Sequence, residues 1–222
     1  MRTLRSAVRS DPLLARDRIA LRAWQAARLA RTHRDLLESP RYGPAASFFL
    51  EELYGAEDHG ARDAAVARVL PTLTRIMPAS ALETIALAIE LDELSETLDL
   101  ALARRLRSHS RGDDLVITEA SYAEGYCAAA ERRERARQLA LVSDIGTALD
   151  RFAHKPFIAS ALAVMEKPAR AAGLSALHAF LARGYKVFRQ MDGATEFIAT
   201  ITTREQRIYE QLYAHSERPF EV

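Results

Sequence analysis

Apolar residues recur at helical spacing along most of the chain, and this pattern predicts helices rather than a sheet. The clearest stripe lies in a helix expected from Ser80 to about Arg107, and it consists of Leu87, Leu91, Leu94, Leu98 and Leu102. Ser10-Asp11-Pro12 predicts another helix from there to about Leu37, since a capping residue precedes a proline tolerated in the first turn. No segment alternates with period two for long enough to require a strand.

The remaining patterns predict further helices near residues 44–54, 66–77, 118–152, 156–165, 174–190 and 193–214, with Asp192 as the cap of the last. The fold expected is all-α: an irregular multi-helix bundle of eight or nine helices. We expect residues 1–222 to form a single domain in which an N-terminal basic helix, residues 1–39, packs on the bundle formed by residues 40–222.

Composition and charge exclude several classes of protein. The sequence has 31 Lys and Arg against 30 Asp and Glu, so its net charge of +1 provides no global field for binding nucleic acid. Its longest useful apolar run, Phe157 to Met165, is far shorter than the ~20 residues that span a bilayer. A cytoplasmic protein that does not bind membranes is expected, and the single Cys127 excludes an intramolecular disulfide.

Charge is nevertheless concentrated at the N-terminus, where the first 35 residues contain nine Arg and three Asp. Such a helix could contact a second copy of the chain in a homodimer, or an acidic protein partner. Nucleic acid is disfavoured because the arginines are spread around the helix.

Several segments together resemble a known family. They include Phe48-Phe-Leu-Glu-Glu-Leu-Tyr-Gly55 followed by Arg62-Asp63, and later Lys155-Pro156 and Thr203-Arg-Glu205. From Tyr42 onward the chain resembles an uncharacterised family of bacterial all-helical proteins with an FFLxxLYG…RD signature. The resemblance implies a helical fold and carries no known activity or catalytic residue.

Metal chemistry receives no support from the sequence. None of the six histidines follows a Glu at i−3, and no two lie at i and i+4, so no metal site is expected. Asp92, Glu96 and Asp99 share one helical face, but that face points away from the leucine stripe. We interpret it as a solvent-exposed face.

Three polar residues fall on apolar stripes, namely Arg62, Gln138 and Arg204. A charged group there needs a partner, because an unpaired buried charge costs several kcal/mol. Either the two arginines form ion pairs that fix helix register, or they bind the carboxylate or phosphate of a ligand. For Arg204 we expect a carboxylate partner from the first half of the chain, with Asp63 or Glu52 best placed.

Two functional hypotheses remain open, and the sequence does not decide whether the protein is an enzyme. The favoured one is a non-enzymatic interaction or structural module. The alternative is a bundle with an internal pocket for a small organic ligand or cofactor, possibly an oxidoreductase. The candidate ligand-binding residues are Arg62, Arg204, Tyr54, Tyr122, Tyr126 and His178; the sequence identifies no catalytic residue and no particular cofactor.

Overall fold

The computed structural model describes residues 11–54, 79–110, 112 and 114–222. Helices make up 82% of these residues, and no strand occurs among them, so the all-α prediction is confirmed. The helices in the described ranges are α1 (Pro12–Thr32), α2 (Arg34–Glu38), α3 (Gly43–Tyr54), α4 (Ala79–His109), α5 (Glu119–Ala128), α6 (Arg132–Ala153), α7 (Phe157–Ala171), α8 (Ser175–Met191) and α9 (Thr195–Tyr213). The helix predicted within 66–77 lies outside the described residues.

Two helices begin where local capping signals predict. The Asp11 side chain accepts hydrogen bonds from the N–H groups of Leu13 and Leu14 at the start of α1. At α5, Thr118 Oγ1 accepts from the Ser121 N–H at 3.1 Å, while the Ser121 hydroxyl accepts from the Thr118 N–H at 3.0 Å. Both caps satisfy N–H groups that have no partner within the helix.

Two helices that the pattern predicts as continuous are broken. The first breaks at His33, whose φ of −114° and ψ of 28° separate α1 from α2. The second breaks after Ala128, and α6 begins at Arg132. There the Glu134 carboxylate accepts a hydrogen bond from the Glu131 N–H at 3.0 Å, a capping signal hidden in the Arg/Glu run.

The predicted role of Asp192 is wrong. It ends α8 in the left-handed conformation, with φ 52°, and does not cap α9. The Ala194 N–H at the start of α9 instead donates to Asp150 on α6 at 3.0 Å. Arg41 donates to the carbonyl oxygens of Met191, Asp192 and Gly193, so the turn is held by side chains distant in sequence.

The apolar core has two parts. One lies among α2, α3, α6, α8 and α9 and consists of Leu36, Tyr42, Ala45, Ala46, Ala153, Phe188, Met191, Ala194 and Phe197. The other lies among α1, α4 and α5 and consists of Leu14, Leu21, Leu100, Leu102, Ala103, Leu106 and Tyr122. At the second core Gly125 permits close packing, because a Cβ there would lie 2.8 Å from the Leu102 side chain.

Candidate functional site

A line of polar contacts joins α1 to α4, and we call it the polar seam. It consists of three pairs: Asp17 with Arg107, Arg18 with Glu96, and Gln25 with Asp99. Asp17 is only 1% exposed, and its Oδ2 accepts from Arg107 Nε at 2.7 Å. Gln25 Nε2 donates to Asp99 Oδ1 at 3.0 Å. The first helix therefore docks on α4 partly through charges removed from water.

The seam corrects the interpretation of the acidic face of α4 as solvent-exposed. Glu96 and Asp99 face α1, and the Glu96 side chain is only 16% exposed. Burial raises the pKa of Asp99 above its ordinary value, against the opposing effect of the Gln25 hydrogen bond and nearby arginines. This face of α4 is polar because the face of α1 that packs against it is also polar.

At the far end of α1, Glu205 on α9 binds two basic side chains. Arg28 Nη1 donates to both of its carboxylate oxygens, at 2.6 and 2.7 Å, and His33 Nε2 lies 2.9 Å from Oε1. Burial alone raises the pKa of Glu205, but Arg28 and His33 outweigh it, so the pKa lies below its ordinary value. Because a carboxylate only accepts, His33 Nε2 carries the shared proton.

Arg135 on α6 is the most unusual buried group among the described residues. It is 2% exposed, and its guanidinium carbon lies 4.2 Å from the centre of the Tyr126 ring. Nη1 lies 3.4 Å from Gln138 Oε1, and Gln138 Nε2 in turn donates to Ser95 Oγ at 2.9 Å. Nε and Nη2 are buried with no hydrogen-bond acceptor among the described residues.

The sequence itself carries a signal that Arg135 is buried. Arg135 lies three residues before Gln138, so it belongs to the same stripe, which continues to Val142. The surrounding run of Arg and Glu concealed it, because such runs are usually solvated.

Tyrosines enclose the same region. Tyr122 and Tyr126 have ring centres 5.9 Å apart, and Tyr213 meets Tyr126 edge-on at 6.0 Å. Burial raises the pKa of both Tyr122 and Tyr126, so their hydroxyl groups are neutral and can donate hydrogen bonds. The Tyr213 hydroxyl is buried and, within the described ranges, has no hydrogen-bond partner.

A surface groove of about 450 Å³ lies above this interior, between α1, the start of α5 and the C-terminal tail. Phe220 lines the groove and also contacts Trp24 and Tyr122, with ring centres 5.7 and 6.0 Å away. Arg28 lines it as well while binding Glu205. The tail therefore closes the interior on the groove side.

The structure brings together only some of the sequence-based candidates. Tyr122 and Tyr126 lie side by side next to Arg135. His178 lies in the α7–α8 pair, where its Nε2 donates to the Leu162 carbonyl at 2.8 Å. Arg62 and the Tyr54 side chain fall outside the part that the structure describes.

Arg204 has a carboxylate partner from the first half of the chain, as predicted, but the partner is Asp35. Its two terminal nitrogens donate to the two Asp35 oxygens at 2.6 and 2.8 Å. Glu52, one of the partners expected, pairs with Arg183 instead, and Asp63 lies outside the described residues. The Asp35 side chain is 60% exposed, so this is a surface pair.

For that reason Arg204→Ala is expected to lower the free energy of unfolding by only about 1 kcal/mol. The hydrogen bond from Arg204 lowers the pKa of Asp35 from 3.8 to about 2. The pair therefore stabilises the fold above about pH 4, and this contribution is lost as the pH falls toward 2. Urea denaturation of Arg204→Ala and Asp35→Asn at pH 7 and pH 3 measures both effects, and a loss above about 3 kcal/mol would contradict the surface assignment.

A family model for a domain of unknown function, DUF8198, matches residues 4–219 of the chain. The chain belongs to the DUF8198 family. The match extends the resemblance, which began at Tyr42, through α1 and the polar seam. No curated protein and no solved structure matches the chain. Membership of DUF8198 assigns no activity to the chain.

The described part of this DUF8198 chain lacks two features, a membrane-spanning helix and a cluster of metal-ligating side chains. None of its helices combines the length and hydropathy that a membrane span needs. Nor do residues 11–54, 79–110, 112 and 114–222 place three or more His, Cys, Asp or Glu side chains together as metal ligands.

Proposed function

We propose that the protein binds a small ligand through a single anionic group, a carboxylate or a phosphate, in the interior bounded by α1, α4, α5, α6 and α9. The supporting observation is Arg135, which is 2% exposed and has two N–H-bearing nitrogens with no acceptor among the described residues. A buried unsatisfied donor costs about 1–3 kcal/mol, more when it is charged. Arginine cannot lose its proton to relieve that cost, whereas an anion accepting from Nε and Nη2 removes it.

The side chains around Arg135 suit such a ligand. Tyr122 and Tyr126 supply aromatic surface, and the unpartnered Tyr213 hydroxyl supplies another polar contact. The proposal thus retains two of the sequence-based candidates, Tyr122 and Tyr126, and adds Arg135 as the anchor.

A purely structural role for Arg135 is the competing explanation. Its guanidinium stacks on Tyr126, and that contact stabilises the positive charge. Stacking leaves the in-plane N–H groups of the guanidinium without acceptors, however. The two explanations therefore predict opposite signs for the effect of removing the guanidinium from the ligand-free protein.

Arg135→Met is expected to raise the melting temperature of the ligand-free protein by several degrees, because it replaces a buried unsatisfied cation with an apolar side chain of similar length. The same change should abolish any stabilisation by phosphate, acetate or benzoate, which are the probes to use. Thermal unfolding and titration calorimetry at constant ionic strength measure the two effects.

Arg132→Met is the matched control. Arg132 also lies over tyrosine rings, at 5.5 Å from Tyr209 and 5.2 Å from Tyr213, but it is exposed. This variant should keep the anion response of the wild type. If no probe anion stabilises the wild type and Arg135→Met lowers its melting temperature, Arg135 is structural and the proposal fails.

A second surface supports the hypothesis that the protein is an interaction module. It is formed by α7 and α8 and includes none of the residues around Arg135.

A further inference from the structure

The paired helices α7 and α8 expose large apolar side chains. On α7 Phe157 is 57% exposed, Val164 73% and Met165 51%, and on α8 Leu181 is 49% exposed. Phe157 lies seven and eight residues before Val164 and Met165, so the three share one face of α7. Ala169 on the adjoining face of α7 is buried, and α7 packs mainly against α8. About half of the apolar side of α7 is therefore exposed to solvent, and we call this half the open face.

The same region is strongly basic. Residues 155–191 contain six Lys and Arg against one Glu, a charge of +5 in a chain whose total is +1. Glu166 pairs with Arg170, and Arg183 pairs with Glu52 on α3. Lys155, Lys167, Lys186 and Arg189 have no carboxylate partner within the described ranges. A basic region with exposed apolar side chains attracts an apolar surface of opposite charge.

This charge distribution also argues against a second copy of the chain as the occupant, because two basic surfaces repel each other. Three arginines of α1 are already paired within the chain: Arg18 binds Glu96, Arg28 binds Glu205, and Arg31 lies 3.4 Å from Glu119.

The open face of α7 combines Phe157 with small residues, and this composition favours a helix over a bilayer. Helices that lie in a membrane interface bury large residues such as Trp, Phe and Leu. On α7 small residues, including Ala161, separate Phe157 from Val164, and small residues allow a second helix to approach closely. We infer that the open face of α7, with Leu181 of α8, binds an acidic amphipathic helix of another protein.

The probe for this inference is a labelled synthetic amphipathic helix with leucines on one face and glutamates elsewhere. Its twin carries lysine in place of every glutamate. Fluorescence anisotropy should show that the glutamate helix binds the wild-type protein, more weakly as salt rises, and that the lysine twin does not bind. Val164→Asp should weaken this binding at least tenfold, and Lys167→Glu should weaken it several-fold.

Ile19→Asp is the matched control, since Ile19 is 60% exposed on α1 and the change adds the same charge outside the α7–α8 face. It should leave binding of the glutamate helix unchanged. The melting temperature of the Val164→Asp variant should also be as high as that of the Ile19→Asp variant. A much larger drop would mean that the chain itself covers the face, and would overturn the inference.

Three other results would overturn it as well. One is equal binding, or no binding, of the two synthetic helices. Another is a wild-type dimer in sedimentation that Val164→Asp converts to a monomer, which identifies a second copy as the occupant. The last is flotation of the wild type, but not of Val164→Asp, with anionic phospholipid vesicles.

Discussion

Replacing Asp17 with alanine is expected to lower the free energy of unfolding by about 3–5 kcal/mol, a large part of the 5–15 kcal/mol that stabilises an ordinary domain. Asp17 is 1% exposed, and its two oxygens accept from Nε and Nη2 of Arg107. Removing the carboxylate leaves the Arg107 charge in the seam without its main counter-charge. Urea denaturation monitored by circular dichroism measures the loss.

Glu90→Ala is the control for this change, because it breaks a pair of similar geometry at the surface. Glu90 accepts from Arg137 at 2.7 and 2.8 Å, but its side chain is 46% exposed, so the cost should stay below about 1 kcal/mol. The double variant Asp17→Leu with Arg107→Met should recover much of the stability lost in Asp17→Ala. If Asp17→Ala and Glu90→Ala lower the free energy of unfolding equally, burial does not strengthen the pairs of the polar seam.

Glu205→Gln is expected to have the next largest effect, about 3 kcal/mol at neutral pH. The amide keeps the shape of the side chain but removes the negative charge that Arg28 and His33 share. Gln206→Glu provides a neighbouring change of one charge at an exposed position of α9, and it should cost little. A Glu205→Gln protein as stable as the wild type would mean that Arg28 and His33 do not depend on this carboxylate.

The pH dependence of the wild type should report the same carboxylate. Its folded-state pKa lies below the ordinary 4.5, so Glu205 stabilises the fold above about pH 4.5. That contribution is lost as the pH falls through the folded-state value. The difference in unfolding free energy between the wild type and Glu205→Gln should therefore have its largest value at pH 7 and decrease steadily below pH 4.5. A difference that stays constant down to pH 3 would contradict the assignment.

The starts of α1 and α5 could be predicted from the sequence because they depend on neighbouring residues. Asp11 and Thr118 cap helices because their side chains reach N–H groups two or three positions away. The cap of α9 escaped prediction because the Ala194 N–H group is bound by Asp150, 44 positions earlier in the chain. Long-range partners of this kind have no local pattern.

The residues of the candidate site could likewise be predicted only where their signal is local. Tyr122 and Tyr126 could be selected because aromatic residues four positions apart share a helix face. The helical pattern also identified the acidic face of α4, but it could not show that α1 covers that face. The pattern alone therefore places Glu96 in solvent, although Arg18 binds it. The stripe that contains Arg135 does not by itself establish its burial either, because burial depends on which helices surround the charge.

The polar seam also restricts how α1 can slide along α4. Apolar side chains such as those of Leu14 and Leu21 pack acceptably in more than one position, because contact between them has little directionality. A shift of one helical turn, about 5.4 Å, would separate Asp17 from Arg107 and Gln25 from Asp99 simultaneously. A misaligned α1 would therefore leave several charged groups without partners at the same time. The polar seam thus selects one alignment from the many that the leucines alone would permit.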